Sequence, residues 1–436
     1  MDAVTSQAAG DAHGPPASLI EGTATVLTGF SIALIFAASP MVLARAGLNY
    51  ETAGGSVLHK VHPGTWVALL ALGLLALHRG VSRLVGEVLA RGPGLAFFTA
   101  TWLLLFAYIV LARRQLPFTP IIDTFLLPVV LFPLIAALGA RAGSRIALML
   151  HALFAANALA GLVEFTTGWR LNPYIVAGST LEGDWRSTAV FGHPLANATL
   201  AGTYVLALAV GGARDLPALA RPALIGVQLA AMVAFGGRAA AVVLLVLLAG
   251  LLLAALVRLL AGGRLRITHA AAAMLMLPVV GLVSLALIEL GFFDRFADRF
   301  VSDQGSAEAR IVMFRLFERL GWEDILLGPD PGLIATRQWN EGLDFGIESF
   351  WVGFVLLYGL LVSGIFFVGL AALCREILRA TRPGAALALI YFFVVASTSL
   401  SLSAKSPLLG MTVAVLLVLL RNEGSSWRHR SAGSTA

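Results

Sequence analysis

The sequence lacks most of the residues on which common catalytic and metal sites depend. Its single cysteine, Cys374, excludes an intramolecular disulfide and a paired-cysteine metal site. It contains no Asp-x-Asp pair, no His-x-x-x-His pattern, no phosphate-binding P-loop and no nucleophile elbow. We therefore expect no metal and no cofactor, and any energy for a reaction has to come with the substrate.

Charged residues are also scarce, at 12% of the 436 residues, whereas hydrophobic residues make up 58%. The sequence contains repeated apolar runs of about 20 residues, long enough to cross a bilayer core about 30 Å thick. The alternating segments of about 10 residues that are typical of a transmembrane β-barrel are absent. The chain is therefore predicted to be an all-α polytopic membrane protein, and a soluble fold is excluded.

Twelve transmembrane helices are predicted from the apolar runs and the charges that flank them. They lie near 24–43, 62–78, 94–112, 120–139, 145–164, 189–211, 218–236, 239–260, 268–291, 347–372, 384–402 and 405–420. A count of eleven is also compatible with the crowded segment 384–420. The predicted domains are a disordered N-terminus at 1–20, without the basic start of a cleaved signal peptide, one transmembrane domain at 21–421, and a tail at 422–436.

The net charge of +6 comes from residues in short loops and not from one basic face, so it indicates topology and no nucleic-acid partner. With both termini in the cytoplasm, 16 positive residues lie on the inner side, against six in the short outer loops. The longer connections 166–188 and 292–346 then face outward. Lysine occurs only at Lys60 and Lys405; the remaining positive residues are arginine, which binds phosphate as a planar fork, although a GC-rich genome gives the same bias.

A first pattern suited to anions lies at the start of the sixth predicted helix. Gly192, His193 and Pro194 are followed by Asn197, and a helix that begins there leaves backbone N–H groups that favour anions. Arg186, just outside the helix, adds a positive charge. Alternatively, Pro194 only begins the helix, and His193 and Asn197 form interhelical hydrogen bonds.

A second pattern is the glycine pair before the eighth predicted helix. Gly236 and Gly237 permit a tight turn and let a ligand approach the backbone, and Arg238 begins the next helix. An arginine at a membrane boundary can also extend its charge to water without binding a ligand. Both interpretations stay open for Arg238.

The longer outer loop contains a third pattern, a short charged helix. Ser306 is suited to cap a helix from about 307 to 320, with Arg310 near its start. Arg315 and Arg319 lie one turn apart and form a second positive row. That row either contacts the substrate or pairs with carboxylates on a solvated surface.

The fourth pattern is the start of the tenth predicted helix, where Glu348 is followed by Ser349. A carboxylate at a helix N-terminus is electrostatically favourable, so Glu348 is suited to a capping role. A partly buried carboxylate at this boundary is equally suited to act as general base for an incoming hydroxyl. Ser349 then lies beside it as a substrate-binding residue.

Together these patterns resemble the O-antigen ligase and Wzy-type polymerase superfamily of bacterial envelope glycosyltransferases. The likeness rests on Arg186, on Gly-His-Pro-Leu-Ala-Asn197, on Gly-Gly-Arg238-Ala-Ala, where the family often has Ser-Arg-Gly-Ala, and on Arg310 with Phe314. It continues in a Gly-x-x-x-Gly turn at 328–332 and in the Ile-Glu-Ser-Phe-Trp segment at 347–351. The resemblance covers roughly residues 180–372.

The resemblance implies an enzyme of about a dozen helices and one large external loop, in the inner membrane of a bacterium. It implies that the substrate is a glycan on undecaprenyl diphosphate, used at the periplasmic face without metal or nucleotide. If the roles of the matching family residues apply here, Arg186 and Arg310 neutralise the diphosphate and Arg238 supports them. We expect further substrate contacts from His193, Asn197, Ser349 and Arg315. The implied partners are membrane lipid, a flippase and a chain-length regulator.

One position departs from the family pattern. Where similar ligases have a histidine followed by asparagine, this chain has Glu348 followed by Ser349. Because a glutamate can still accept a hydroxyl proton, we expect Glu348 to be the base of a polymerase that joins O-antigen or exopolysaccharide repeat units. The alternatives are a ligase that transfers the glycan to lipid A core and, in another class, a transporter of lipid-linked sugars, which is expected to contain charges and broken helices at mid-membrane depth.

Overall fold

The computed structural model describes residues 19–51, 54–114, 116–176, 179–181, 184–212, 214–262, 285, 288–289, 294, 306–318, 320–343 and 346–422. The predicted disordered N-terminus, up to residue 18, and the tail beyond residue 422 lie outside these residues. So does the helix predicted at 268–291, apart from three isolated positions. Arg319 of the predicted second positive row is also outside them.

Within these ranges the secondary structure is helical except for a two-residue antiparallel hairpin, β1 (Ile175–Val176) and β2 (Ser179–Thr180), and the isolated β-bridge between Thr381 and Arg421. The helices are α1 (Leu19–Ala37), α2 (Pro40–Arg45), α3 (Val57–Lys60), α4 (Pro63–Arg79), α5 (Val81–Arg91), α6 (Pro93–Leu111), α7 (Thr119–Ala136), α8 (Ala140–Thr167), α9 (Pro194–Ala209), α10 (Ala220–Phe235), α11 (Arg238–Leu260), α12 (Ser306–Val312), α13 (Trp322–Leu327), α14 (Pro331–Asn340), α15 (Phe350–Tyr358), α16 (Leu360–Ala380), α17 (Ala385–Ala396) and α18 (Leu408–Leu419). Each of the other eleven predicted segments overlaps at least one of these helices.

Six of the described helices are long and apolar enough to span a membrane: α1, α6, α7, α8, α11 and α16. The pair α4 and α5, bent by 104°, raises the number to seven if it counts as one span. Four further apolar helices, α9, α10, α17 and α18, have 12 to 16 residues. The predicted class, an all-α membrane protein, is therefore confirmed.

The helix connections gather at two ends of the bundle. At one end, which we call the loop end, the connections 38–62, 112–118, 168–193, 236–237, 313–349 and 397–407 contact one another. For example, Arg45 donates a hydrogen bond to the carbonyl of Leu171 (3.0 Å), and Lys405 donates to that of Tyr50 (2.6 Å). Both predicted outer connections therefore belong to the same end of the molecule.

At the opposite end, arginines donate hydrogen bonds to backbone carbonyls of neighbouring connections. Arg421 donates to the carbonyl of Leu138 (2.7 Å), and Arg382 donates to that of Gly211 (3.3 Å). The short helix α5 also lies at this end, turned away from the axis of α4. On it Arg83 and Arg91 are both paired with Glu87, at 3.4 and 3.9 Å.

Two short helices place one connection of the loop end below the others, and we call the region around that connection the recess. Helices α17 and α18 have 12 residues each, which is about 18 Å of helix, whereas the bilayer core is about 30 Å thick. Both begin or end at the opposite end, where Thr381 pairs with Arg421. The connection between them, 397–407, therefore lies about 10 Å below the level that α16 reaches with its 21 residues.

The tenth predicted helix is broken, so its prediction as one continuous helix is wrong. Gly359, with a φ of 78°, separates α15 from α16. The two helices fold against each other, because the Phe350 ring lies 6.0 Å from that of Phe367, and Phe354 lies 5.0 Å from Phe366. In one straight helix, residues twelve apart are about 18 Å apart. Helix α15 is therefore a half-helix whose N-terminus lies about 10 Å below Gly359.

The helix predicted from about 307 to 320 is also shorter than expected. It ends at Val312 and continues as a 3₁₀ turn, Met313–Phe317. In a 3₁₀ turn residues three apart share one face, so Met313 and Leu316 both enter a small apolar cluster with Ile334. Burial of these side chains explains the change of helix type.

Candidate functional site

Residues 187–193, a largely buried non-helical segment, lead into α9 and include a turn in which the N–H of Gly192 donates to the carbonyl of Thr188 (2.8 Å). Asn157 Oδ1, on α8, accepts hydrogen bonds from the backbone N–H groups of residues 190–191 (3.0 Å each). Glu164 Oε2, on the same helix, accepts from the N–H of Ala189 (2.9 Å). Unpaired backbone groups are costly at membrane depth. These two side chains therefore allow the chain to leave the helical conformation there.

Asn197, predicted to bind substrate, holds the same segment. It is fully buried on α9, and its Nδ2 donates to the carbonyl of Thr188 (2.7 Å). Its Oδ1 is buried without a hydrogen-bond partner among the described residues. This contact joins α9 to the connection that precedes it and does not link two helices, and one acceptor atom of Asn197 has no described partner.

Arg186 directly precedes this segment and is paired with Asp184, a residue that the sequence analysis did not single out. Its Nε lies 3.0 and 2.9 Å from the two carboxylate oxygens of Asp184, and its Nη2 also bonds to Asp184. Its guanidinium lies 5.1 Å from the centroid of the Tyr174 ring, and that ring lies 5.6 Å from His193. Arg186 and His193 are thus in one cluster, in which Asp184 balances the arginine charge.

The glycine turn packs directly on this cluster, which confirms the predicted tight reversal. A Cβ atom at Gly236, whose φ is 65°, would lie 2.7 Å from Cγ of Arg186. A Cβ atom at Gly237 would lie 2.6 Å from that of Ala198. Only glycine fits these close approaches. The turn therefore brings Arg238, the first residue of α11, next to the Arg186 cluster.

Arg310 and Glu348, which are 38 positions apart in the sequence, form an ion pair. Nη2 of Arg310, on α12, lies 3.4 Å from Oε2 of Glu348, and the side chains are 40% and 33% exposed. The Nε of Arg310 is buried without a hydrogen-bond partner among the described residues. Because a partly exposed ion pair contributes about 0–1 kcal/mol, stability alone does not account for two charges in the recess.

The two residues that follow Glu348 connect the pair to the half-helix. Ser349 is the N-cap residue of α15 and is buried. Phe350, the first residue of α15, is fully buried in the main core. The N-terminus of the half-helix, which carries a partial positive charge, therefore lies next to the Arg310 and Glu348 side chains.

Arg315 lies outside the recess. Its guanidinium pairs with Glu341 at 3.6 Å, and both side chains are solvent accessible. Arg337 fastens the same region, with a hydrogen bond to the carbonyl of Leu316 (3.2 Å). These contacts correspond to the paired-surface interpretation of Arg315.

Sequence reasoning missed the residue that holds the half-helix in place. Arg113, at the end of α6, donates from Nη1 to the carbonyl of Gly328 (2.7 Å) and from Nη2 to that of Leu357 (3.2 Å). Its Nη2 also bonds to the carbonyl of Pro329. In the sequence, Arg113 is only one positive residue of a short loop. One guanidinium thus joins α6, the 328–332 turn and the end of α15.

The two glycines near Arg113 cross at close range. A Cβ atom at Gly359 would lie 2.5 Å from the backbone N of Gly328, and both glycines have positive φ, 78° and 90°. Gly328 begins the Gly-x-x-x-Gly motif seen in the sequence. The crossing explains in physical terms why glycine stands there.

A second missed feature is a buried polar cluster beside the recess. Asp123, in a π-helical turn of α7, accepts hydrogen bonds from Tyr50 Oη (3.0 Å), the His62 N–H (3.1 Å) and Thr65 Oγ1 (2.7 Å). Burial lowers the pKa of the adjacent Lys405 below its usual value. The cluster ties the 38–62 connection to the 397–407 connection, and its polar groups satisfy one another.

Comparisons with known proteins do not assign the chain to a family. In the part of the chain that the structure describes, no group of three or more His, Cys, Asp or Glu side chains is arranged to hold a metal ion. The residues named from the sequence nevertheless fall into two groups at the loop end, one around Arg186 and one around Glu348. No protein-family model matches the chain, and neither does any curated protein.

Proposed function

We propose that this chain is a membrane glycosyltransferase that polymerises oligosaccharide repeat units carried on undecaprenyl diphosphate. The observation that carries the proposal is the pairing of Arg310 with Glu348 in a recess next to the N-terminus of a half-helix. A carboxylate is suited to accept a proton. A guanidinium and a helix N-terminus are both suited to bind a diphosphate.

In the proposed reaction the acceptor sugar hydroxyl attacks the anomeric carbon of the donor glycan. Glu348 accepts the hydroxyl proton while the new glycosidic bond forms, and the bond between the anomeric carbon and the lipid diphosphate breaks. Arg310 binds the diphosphate as it leaves, through two N–H groups at once. The cleaved sugar–phosphate bond supplies the energy, so the reaction requires no nucleotide.

The Arg186 cluster has a supporting role in the proposal. Asp184 pairs with the Nε and Nη2 of Arg186, and Arg238, at the adjacent start of α11, is proposed to support Arg186 beside the diphosphate. His193 and Ser349 are proposed to contact the substrate, and Asn197 to hold the segment behind it. We leave Arg315 out of the machinery because Glu341 pairs with it on the accessible surface.

We further infer that the chain crosses the inner membrane of a bacterium twelve times, with both termini in the cytoplasm and the loop end in the periplasm. The support is the arginine distribution, since positive residues of short loops favour the cytoplasmic side. A flippase and a chain-length regulator are proposed as partners, because the substrate has to reach this side and the polymer has to stop growing.

The proposal is tested by product analysis in liposomes. Purified protein is given its lipid-diphosphate-linked repeat unit in the presence of EDTA, and the lipid-linked products are separated by length. A ladder of longer chains supports the polymerase. If the glycan appears instead on added lipid A core, the protein is a ligase.

A transporter of lipid-linked sugars is the second candidate, and the half-helix α15 favours it, because transporter sites are built from broken helices. The buried charges argue against it, since Asp123 and Glu164 are both engaged in contacts between segments. Substrate that crosses the liposome membrane without chain growth would make the transporter the correct assignment.

A further inference from the structure

Trp351, in the first turn of α15, offers part of its indole ring beside the recess. The side chain is 36% exposed, although its ring packs on Phe350 (4.0 Å between centroids) and Phe367 (4.6 Å). Its Nε1 donates to Ser397 Oγ (2.7 Å), which fixes the orientation of the ring. A rigid, partly exposed aromatic face near Glu348 is suited to stack on the apolar face of a ring-shaped ligand.

The segment that Trp351 contacts, residues 397–403, is rich in hydroxyl groups. Serines alternate with other residues along it, all are half-buried, and Oγ of Ser399 lies 2.9 Å from that of Ser401. A hydroxyl can both donate and accept hydrogen bonds, and those of Ser397, Ser399 and Ser403 donate to backbone carbonyls three or four residues back while keeping acceptor capacity. The segment contains no charged residue. This surface therefore complements a neutral polyol better than an anion.

The hydroxyl-rich segment lies directly against the chain that carries Glu348. A Cβ atom at Gly346 would lie 2.8 Å from the Leu400 side chain, and one at Gly353 would lie 3.1 Å from Oγ of Ser403. The two glycines stand on either side of Glu348 in the sequence. A ligand that contacts both the exposed part of Trp351 and the serine segment is thus adjacent to the proposed base.

We propose that Trp351 and the serines of residues 397–403 form the subsite for the acceptor sugar, and that this subsite takes a neutral sugar ring. The indole binds the apolar face of the ring, and the serines bind its hydroxyls. The inference rests on the proposed function, because it assigns this surface to the acceptor of that reaction.

The test measures binding without turnover. The probe is the oligosaccharide released by mild acid from the lipid-linked repeat unit, which lacks the lipid diphosphate and therefore cannot act as donor. Binding to the full-length protein in nanodiscs is followed by saturation-transfer NMR. The variants are Trp351→Ala, Trp351→Phe and the double variant Ser399→Ala/Ser401→Ala. Trp339→Ala, at a residue 74% exposed on α14, is the matched control.

We expect the wild type and Trp339→Ala to bind the oligosaccharide equally. Trp351→Ala and the serine double variant bind about tenfold more weakly, and Trp351→Phe about threefold, because phenylalanine keeps a smaller ring. Trp351→Phe and the serine double variant keep the test decisive if Trp351→Ala does not fold. Wild-type binding in all of them contradicts the subsite, as does competition by undecaprenyl phosphate alone, which indicates an acyl chain at Trp351.

Failure of the subsite and failure of the polymerase give different results. If the wild type makes polymer while the serine and Trp351 variants bind the probe normally, the subsite is wrong and the polymerase stands. If the wild type binds the probe but makes no polymer, and Trp351→Ala does not bind the probe, the sugar subsite stands and the polymerase is wrong.

Discussion

At the scale of single residues, the charges of this chain separate into two kinds. Asp123, Glu164 and Glu376 are buried, and each accepts hydrogen bonds that join two segments; Glu376, for example, accepts from the N–H of Gly94 (3.1 Å). Removing such a group leaves buried donors unpaired and is strongly destabilising. Arg310 and Glu348 are partly exposed and add about 0–1 kcal/mol to stability. Charges that stability does not require are the better candidates for chemistry.

This difference predicts that Arg310→Lys lowers the polymerisation rate at least about tenfold, because an ammonium cannot form two parallel bonds to a diphosphate. The melting temperature in detergent is expected to change by less than about 3 °C. Arg315→Lys, in the other ion pair of the same loop, is the control and keeps wild-type activity. Equal losses in the two variants would remove Arg310 from the site.

The buried segment 187–193 gives a prediction of the opposite kind. Asn157→Ala leaves two backbone N–H groups without an acceptor, at a cost of about 1–3 kcal/mol each. Thermal unfolding in detergent is expected to occur several degrees lower than in the wild type. Asn340→Ala, at an exposed position on α14, is expected to leave the melting temperature unchanged. An unchanged melting temperature in Asn157→Ala would mean that the segment does not depend on this contact.

At the scale of elements, the position of Glu348 depends on how the half-helix α15 is held. The crossing of Gly328 and Gly359 sets the angle between α15 and α16, and Arg113 bonds to both sides of the crossing. The other end of α15 is held by the indole of Trp351. Glu348 is therefore fixed by contacts at both ends of a nine-residue helix.

We expect Gly359→Ala to abolish activity and to lower the melting temperature. An alanine at a φ of 78° costs about 1–3 kcal/mol, and its Cβ would lie 2.5 Å from the Gly328 backbone. Gly364→Ala is the matched control, because a Cβ atom there meets nothing within 4 Å, and alanine favours the helix. Activity in Gly359→Ala would show that the break between the helices is not needed.

At the scale of the whole molecule, hydropathy predicts the bundle because each span needs about 20 apolar residues. The same signal hides the half-helix, since α15 and the first turns of α16 form one continuous apolar run and a glycine is tolerated inside a helix. Arg310 and Glu348 were both named from the sequence, but their contact depends on the folded chain. Arg113 could not be found at all, because its bond to Gly328 joins residues 215 positions apart.

The proposed orientation, with the loop end in the periplasm, predicts which residues a reagent reaches from outside. With Cys374→Ser as background, no cysteine is left, so single cysteines can be placed at will. Trp339→Cys at the loop end is expected to react with an impermeant maleimide in intact cells. Arg83→Cys, at a position 69% exposed on α5, is expected to react only after permeabilisation. The reverse pattern would place the recess in the cytoplasm.

The central claim is that Glu348 accepts the proton of the attacking hydroxyl, and one comparison tests it most directly. The length of lipid-linked products is measured in liposomes with EDTA for the wild type, Glu348→Gln and Glu341→Gln. We expect full ladders for the wild type and Glu341→Gln and only the single repeat unit for Glu348→Gln, with all three proteins equally folded. A full ladder from Glu348→Gln would contradict it.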